Sequence, residues 1–142
     1  MKTVLLVDDE KETSTVFQTG IKAAGYNVIL AENGTDALDK AKKGGIDVIL
    51  LDQMMPDISG NEVLRTLKQD DATKSIPIAM LTNFGHDEMV KEALNLGAND
   101  YILKYRVEPK DLVLKIKRLT GEDNPPADTQ RGSWITISEY FQ

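Results

Sequence analysis

Short, wholly apolar runs alternate along this chain with longer stretches in which apolar residues recur every three or four positions. The first run, Val4-Leu5-Leu6-Val7, has no polar member, the pattern of a strand covered on both faces of a parallel sheet. The next segment sets Val16, Phe17, Ile21 and Ala24 on one helical stripe and stops at Gly25, a residue suited to a helix C-terminus. Residues 27–31 read as a second strand, closed by Asn33-Gly34. Thr35 is then placed to cap a helix that turns Ala37, Leu38 and Ala41 inward and ends at Gly44-Gly45. Residues 46–51 give the strongest strand signal and run into Asp52. A loop with Pro56 and Gly60 leads to a helix burying Val63, Leu64 and Leu67. Residues 76–81 form a fourth strand, with Pro77 near its start, where it is tolerated. Met89, Val90, Ala93, Leu94 and Leu96 mark a fourth helix, ended by Gly97. Residues 101–103 make a short fifth strand, and Leu112, Val113, Ile116 and Leu119 a fifth helix with Pro109 in its first turn.

Five strands alternating with five helices predict an α/β fold, a three-layer sandwich with a parallel sheet covered on both faces. Right-handed crossovers and the strand count suit the flavodoxin-like order 2-1-3-4-5. The chain has 142 residues, enough for one core. Residues 1–120 carry the alternating pattern. Residues 121–133 read as an acidic, Pro-containing linker. Residues 134–142 form an aromatic tail in which Trp134-Ile135-Thr136-Ile137-Ser138 alternates like a strand; it suits a sheet-edge addition, a flexible terminus or an appended segment. The 22 residues after Thr120 are too few for an effector domain.

Charge narrows the partners. Seventeen basic against 23 acidic residues leave a net charge of −6, which argues against direct nucleic-acid binding. Cysteine is absent, so disulfides and thiolate metal sites are excluded. No apolar run is long enough for membrane insertion, and the N-terminus lacks the apolar core of a signal peptide, so a cytoplasmic location is expected.

Ligands of open parallel sheets bind beyond the carboxyl ends of the strands, where the strand order reverses. Here that point lies between the first and third strands, whose ends are Asp8-Asp9 and Asp52. Left alone, three converging carboxylates repel one another and lose hydration. A hard divalent cation such as Mg²⁺ removes the conflict, since it takes oxygen ligands and phosphate together. Thr82 and Lys104 end the fourth and fifth strands and add a hydroxyl and an ammonium suited to phosphate oxygens. A carboxylate on such a rim can act as nucleophile toward a phosphoryl group, giving an aspartyl-phosphate. Any one of these residues is ordinarily a turn former, a cap or a solvated charge. Their joint placement on four strand ends argues for a site. The only histidine, His86, precedes the fourth helix and reads as a surface or capping residue.

The segments "VLLVDDE", "VILLDQMMPDISG", "IAMLTN" and "GANDYILK" together resemble the receiver domain of two-component response regulators, over about residues 2–120. The resemblance implies that Asp52 is phosphorylated by a sensor histidine kinase or phosphotransfer protein. It also implies that Asp8, Asp9, Asp52 and the backbone carbonyl of Met54 hold Mg²⁺, with Mn²⁺ as an alternative, and that Thr82 and Lys104 grip the phosphoryl oxygens. Thr82 and Tyr101 would be the switch pair that remodels the face of the fourth helix, fifth strand and fifth helix for a downstream protein target. A phosphorylation-dependent homodimer is compatible with that output. No enzyme activity beyond self-phosphorylation and slow autodephosphorylation is expected.

The sequence departs from the family at Tyr105, where proline usually follows the lysine after a cis bond. A trans Lys104–Tyr105 peptide is expected, because cis costs about 2.5–4 kcal/mol before a non-proline residue. Asn83, Met54 and Tyr105 are therefore candidate tuning residues. Two other readings compete: a phosphorylation-independent interaction scaffold, and an Mg²⁺-dependent phosphatase. The phosphatase lacks a second acid two positions after Asp52.

Overall fold

The computed structural model of the chain describes residues 1–83 and 85–122. Five strands and five α-helices alternate in it: β1 (Thr3–Val7), α1 (Lys11–Ala23), β2 (Asn27–Ala31), α2 (Gly34–Lys42), β3 (Val48–Leu51), α3 (Gly60–Gln69), β4 (Ile78–Thr82), α4 (Asp87–Asn95), β5 (Asp100–Leu103) and α5 (Pro109–Leu119). A single 3-10 turn, Lys104–Arg106, follows β5. All strand pairs are parallel, in the order β2-β1-β3-β4-β5, as the alternation predicted. The linker from residue 123 onward and the Trp134 tail lie outside the described residues. No helix among the described residues is long and apolar enough to cross a membrane.

The period of two along each strand divides the core between the faces of the sheet. Leu5, Val7, Ile49, Leu51, Ile78, Met80, Tyr101 and Leu103 pack with Ala37, Leu64 and Val90 from α2, α3 and α4. Val4, Leu6, Val48, Leu50, Ala79, Leu81 and Ile102 pack with Phe17, Ile21, Leu112 and Ile116 from α1 and α5. Burying each large aliphatic side chain contributes about 1.5–3 kcal/mol. Since α1 and α3, which follow β1 and β3, cover opposite faces, the loops after these two strands part and leave a crevice above Asp8 and Asp52.

Several element ends differ from the sequence reading, for local polar reasons. Asn33, not Thr35, caps α2: its side chain accepts from Asp36 N at 2.8 Å. The Thr35 hydroxyl instead donates to Asp57 at 2.7 Å. The buried stripe of α1 is Ser14, Phe17 and Ile21. Val16 points outward at 57% exposure, one position off the stripe, and Ala24 is an exposed C-cap. Leu94 likewise lies on the outer side of α4. The third strand begins at Val48, because Asp47 turns its carboxylate to Thr3 N at 2.7 Å. The fourth begins after Pro77, whose carbonyl accepts from Ile49 N at 3.0 Å, and extends through Thr82. His86 stands at the N-cap of α4 without a side-chain capping bond.

One ion pair lies inside the layer between β5 and α5. Lys115 Nζ meets Asp100 Oδ2, and both side chains are buried. Burial pushes the Asp100 carboxyl above its ordinary value, and Lys115 opposes that shift. Replacing Lys115 by Met strips a buried carboxylate of its nearest cation, so urea unfolding should show a loss of about 3–5 kcal/mol. The loss should shrink as pH falls through the raised Asp100 pKa, because a protonated carboxyl needs no counter-charge. It should also be largely recovered in the Asp100→Asn/Lys115→Met double variant. An unchanged urea midpoint in Lys115→Met would show that the pair contributes nothing.

Candidate functional site

The sheet ladder sets the two central acids. Asp8 N donates to Ala31 O and Asp52 N to Val7 O, each at 3.0 Å, so both residues continue the hydrogen bonding of adjoining strands. Each carboxylate is then oriented by a backbone amide that follows it: Glu10 N donates to Asp8 Oδ1 at 2.9 Å, and Gln53 N to Asp52 Oδ1 at 2.7 Å. The second oxygen of each faces one ammonium. Lys104 Nζ lies 2.9 Å from Asp8 Oδ2, 3.1 Å from Asp52 Oδ2 and 3.0 Å from Glu10 Oε1.

One cation shared among three carboxylates explains the titration of the cluster. Burial works against the Lys104 ammonium, but Asp8, Asp52 and Glu10 outweigh it, and its pKa is pushed up to about 12. The Asp8 pKa is raised too, which for an acid disfavours the charged form. Burial raises its pKa, and Asp52 adds repulsion, against lowering by Glu10 N–H and its share of Lys104. Asp8 Oδ2 is buried and has no hydrogen bond of good geometry; it has only the ion pair.

This donor set suits a hard divalent cation. One oxygen each from Asp8, Glu10 and Asp52 lie within 4.8 Å of one another, all are carboxylate oxygens, and one ammonium leaves two negative charges uncompensated. The sequence reading grouped Asp9 with Asp8 and Asp52; the carboxylate that lies within reach of those two here is Glu10. Successive residues of an extended segment point to opposite sides, so Asp9 is turned out and exposed, while Glu10 returns to the side of Asp8 on a longer stem. Asp9 still borders the entrance. With Glu10, Asp52, Met54 and Asn83 it lines a depression of 220 Å³.

The remaining expected residues take different places around the sheet. Thr82 ends β4, between the strands of Asp52 and Lys104, and is fully buried. Tyr101 stands opposite Met80 and is buried in the core. Met54 is half-exposed and Asn83 exposed. The Lys104–Tyr105 bond is trans, as expected. Tyr105 is 68% exposed, and the Arg106 guanidinium lies 5.8 Å from its ring centroid, within cation–π range.

Three supporting residues escaped the sequence reading. Asp57 accepts from Gly34 N and Thr35 N at 2.8 Å, tying the loop after β3 to the start of α2. The Thr35 hydroxyl, with those amides, holds its carboxyl well below the usual range. Gln53 and Asn61, both buried, join their side chains through two 2.8 Å bonds involving the amide of α3. All three contacts are between residues distant in sequence, and none makes a local pattern. Gly60 is required by space: a Cβ there would lie 2.2 Å from Asp52 O.

Comparison with known proteins agrees with this geometry. The response regulator receiver domain matches residues 4–117. The phosphate regulon transcriptional regulatory protein PhoB of Pseudomonas aeruginosa is 39% identical over 137 residues, covering 94% of this chain and 59% of PhoB. The chain thus spans less than two thirds of that relative. The polar-differentiation response regulator DivK of Brucella anthropi is 37% identical over 85% of this chain and 98% of DivK. A CheY-like receiver domain protein from Methanospirillum hungatei superposes with a TM-score of 0.80 at 30% identity, over 86% of this chain and 95% of its own. The chain belongs to the response regulator receiver domains of two-component systems, whose general function is phosphorylation-based signalling.

Proposed function

We propose that Asp52 of this chain accepts a phosphoryl group from a histidine kinase or phosphotransfer protein and that the modified domain signals to a downstream protein. One observation carries the reading: Asp52 presents Oδ2 to Lys104 while Gln53 N–H holds Oδ1, in a crevice shared with two further carboxylates. In the transfer, a carboxylate oxygen of Asp52 attacks phosphorus. The bond between phosphorus and the donor nitrogen breaks, and its electron pair stays on the donor imidazole. Lys104 holds a phosphoryl oxygen, and the Thr82 hydroxyl takes another. Receiver domains typically bind Mg²⁺ at such an acidic cluster; Asp8, Asp9, Asp52 and the Met54 carbonyl, with Glu10 beside them, would hold Mg²⁺ or Mn²⁺, which would neutralise the charge on the phosphoryl oxygens.

Thr82 and the buried Tyr101 then link the modified centre to the α4, β5 and α5 face. Met54 and Asn83 line the entrance to Asp52 and hinder attacking water, so autodephosphorylation is slow. The chemistry is confined to the domain's own Asp52, in the cytoplasm.

Incubation with acetyl phosphate and Mg²⁺ should add one phosphate to the wild type and none to Asp52→Asn, read by mass spectrometry. The phosphorylated form should persist for minutes or longer. A wild type that takes no phosphate would favour a phosphorylation-independent scaffold.

Stability provides a second check. Asp8 has a raised folded-state pKa, so its contribution is present in acid and is lost as pH rises through that pKa. At neutral pH without metal, Asp8→Asn should therefore raise the urea midpoint, with the gain vanishing in acid. Mg²⁺ should stabilise the wild type in proportion to the logarithm of its concentration above Kd and leave Asp8→Asn nearly unaffected. An Asp8→Asn variant that responds to Mg²⁺ as the wild type does would remove Asp8 from the metal site.

A further inference from the structure

The residue after Asp52 does more than supply an amide. Gln53 is 2% exposed and Asn61 5%, so each side-chain amide needs partners inside the protein. Gln53 Nε2 donates to Asn61 Oδ1, and Gln53 Oε1 accepts from Asn61 N, both at 2.8 Å. Gln53 O accepts from Gly60 N at 2.8 Å. Gln53 thereby satisfies the first two free N–H groups of α3, and Ser59 Oγ takes the third, from Glu62 N at 3.2 Å. Helix α3 is thus bolted to the residue that also orients Asp52 through its own N–H.

Asn61 carries the connection onward. Its Nδ2 donates to Met89 O in the first turn of α4 at 3.5 Å. A bond of that length sits at the outer limit of hydrogen bonding, so a small shift of either helix makes or breaks it. A continuous path of polar contacts therefore runs from Asp52 through Gln53 and Asn61 to α4. An apolar pair at these positions would pack the same space but would not register a change in the Asp52 carboxylate.

We infer that the buried Gln53–Asn61 amide pair is the positioning device through which the state of Asp52 reaches helix α4. The inference rests on Asp52 being the phospho-acceptor. When Asp52 becomes an acyl phosphate, the oxygen that accepts from Gln53 N changes its charge and geometry. Gln53 adjusts, Asn61 follows through two bonds, and the long contact to Met89 O shortens or breaks.

Asn61→Asp separates this role from a purely structural one. The aspartate still accepts from Gln53 Nε2, and its charge in the first turn of α3 is favourable, but it loses the donor to Met89 O. Asn61→Ser, which replaces the carboxamide donor by a shorter hydroxyl without adding charge, is run in parallel, and results are read from the variant that keeps the wild-type unphosphorylated amide spectrum. Full-length ¹⁵N-labelled proteins are treated with acetyl phosphate and Mg²⁺, with phosphate counted by mass and amide shifts followed across residues 87–95.

The expected result is phosphorylation within about twofold of wild type, with shift changes in α4 reduced to less than about half, the size of effect that a coupling residue exerts. Equal α4 shift changes in phosphorylated variant and wild type would overturn the inference alone. Loss of phosphorylation in the variants would also overturn it, by placing the pair in the transfer chemistry. No phosphate on the wild type would overturn the reading of Asp52 itself.

Discussion

The Lys104 ammonium, held 2.9–3.1 Å from Asp8, Glu10 and Asp52, is the interaction on which the architecture of the crevice turns. Two of those carboxylates are almost wholly buried, and a buried carboxylate without a counter-charge is costly by several kcal/mol. One ammonium makes the cluster tolerable and leaves it short of balance. That imbalance suits the proposed chemistry. A cluster neutralised completely by lysines would have no affinity for a divalent cation, and one with no lysine would have nothing to offer an incoming phosphoryl oxygen.

Such a cluster needs a rigid frame, since small errors in position change electrostatic energies steeply at short range. The frame is the ladder of the parallel sheet, which runs one hydrogen bond beyond β1 and β3 to fix Asp8 and Asp52. The loop after β3 is held at both ends. Asp57 secures it to α2, and Gln53, Gly60 and Asn61 secure it to α3 with no room for a Cβ at residue 60. Met54, between these anchors, is half-exposed beside the entrance. Rigidity surrounds Asp52, and the exposed side chains stand at the mouth.

The same arrangement joins the site to the remote face. Lys104 leaves β5 directly, Thr82 ends β4 beside it, and Tyr101 lies two residues within β5, buried against Met80. Behind β5, Asp100 and Lys115 form a buried pair with α5. Charged groups thus stand at both ends of β5, Lys104 toward the crevice and Asp100 toward α5, and each is held by an ion pair.

The sequence by itself determined the alternation of elements, the strand order and the strand ends that bear chemistry, because period, glycine punctuation and apolar runs are local properties. Strand-end placement brought Asp8, Asp52, Thr82 and Lys104 to one rim without any contact being known. Tertiary structure decided what depends on direction and on distant partners. It brought the Glu10 carboxylate to Asp8 and Asp52 and left Asp9 exposed at the entrance, since alternation at an extended strand end turns one acid out and brings the next one back. It turned Val16 to solvent and drew Lys115 into the interior to meet Asp100. It also joined Gln53 to Asn61 and Asp57 to Thr35, pairs whose members look like ordinary loop and helix residues until folding makes them neighbours.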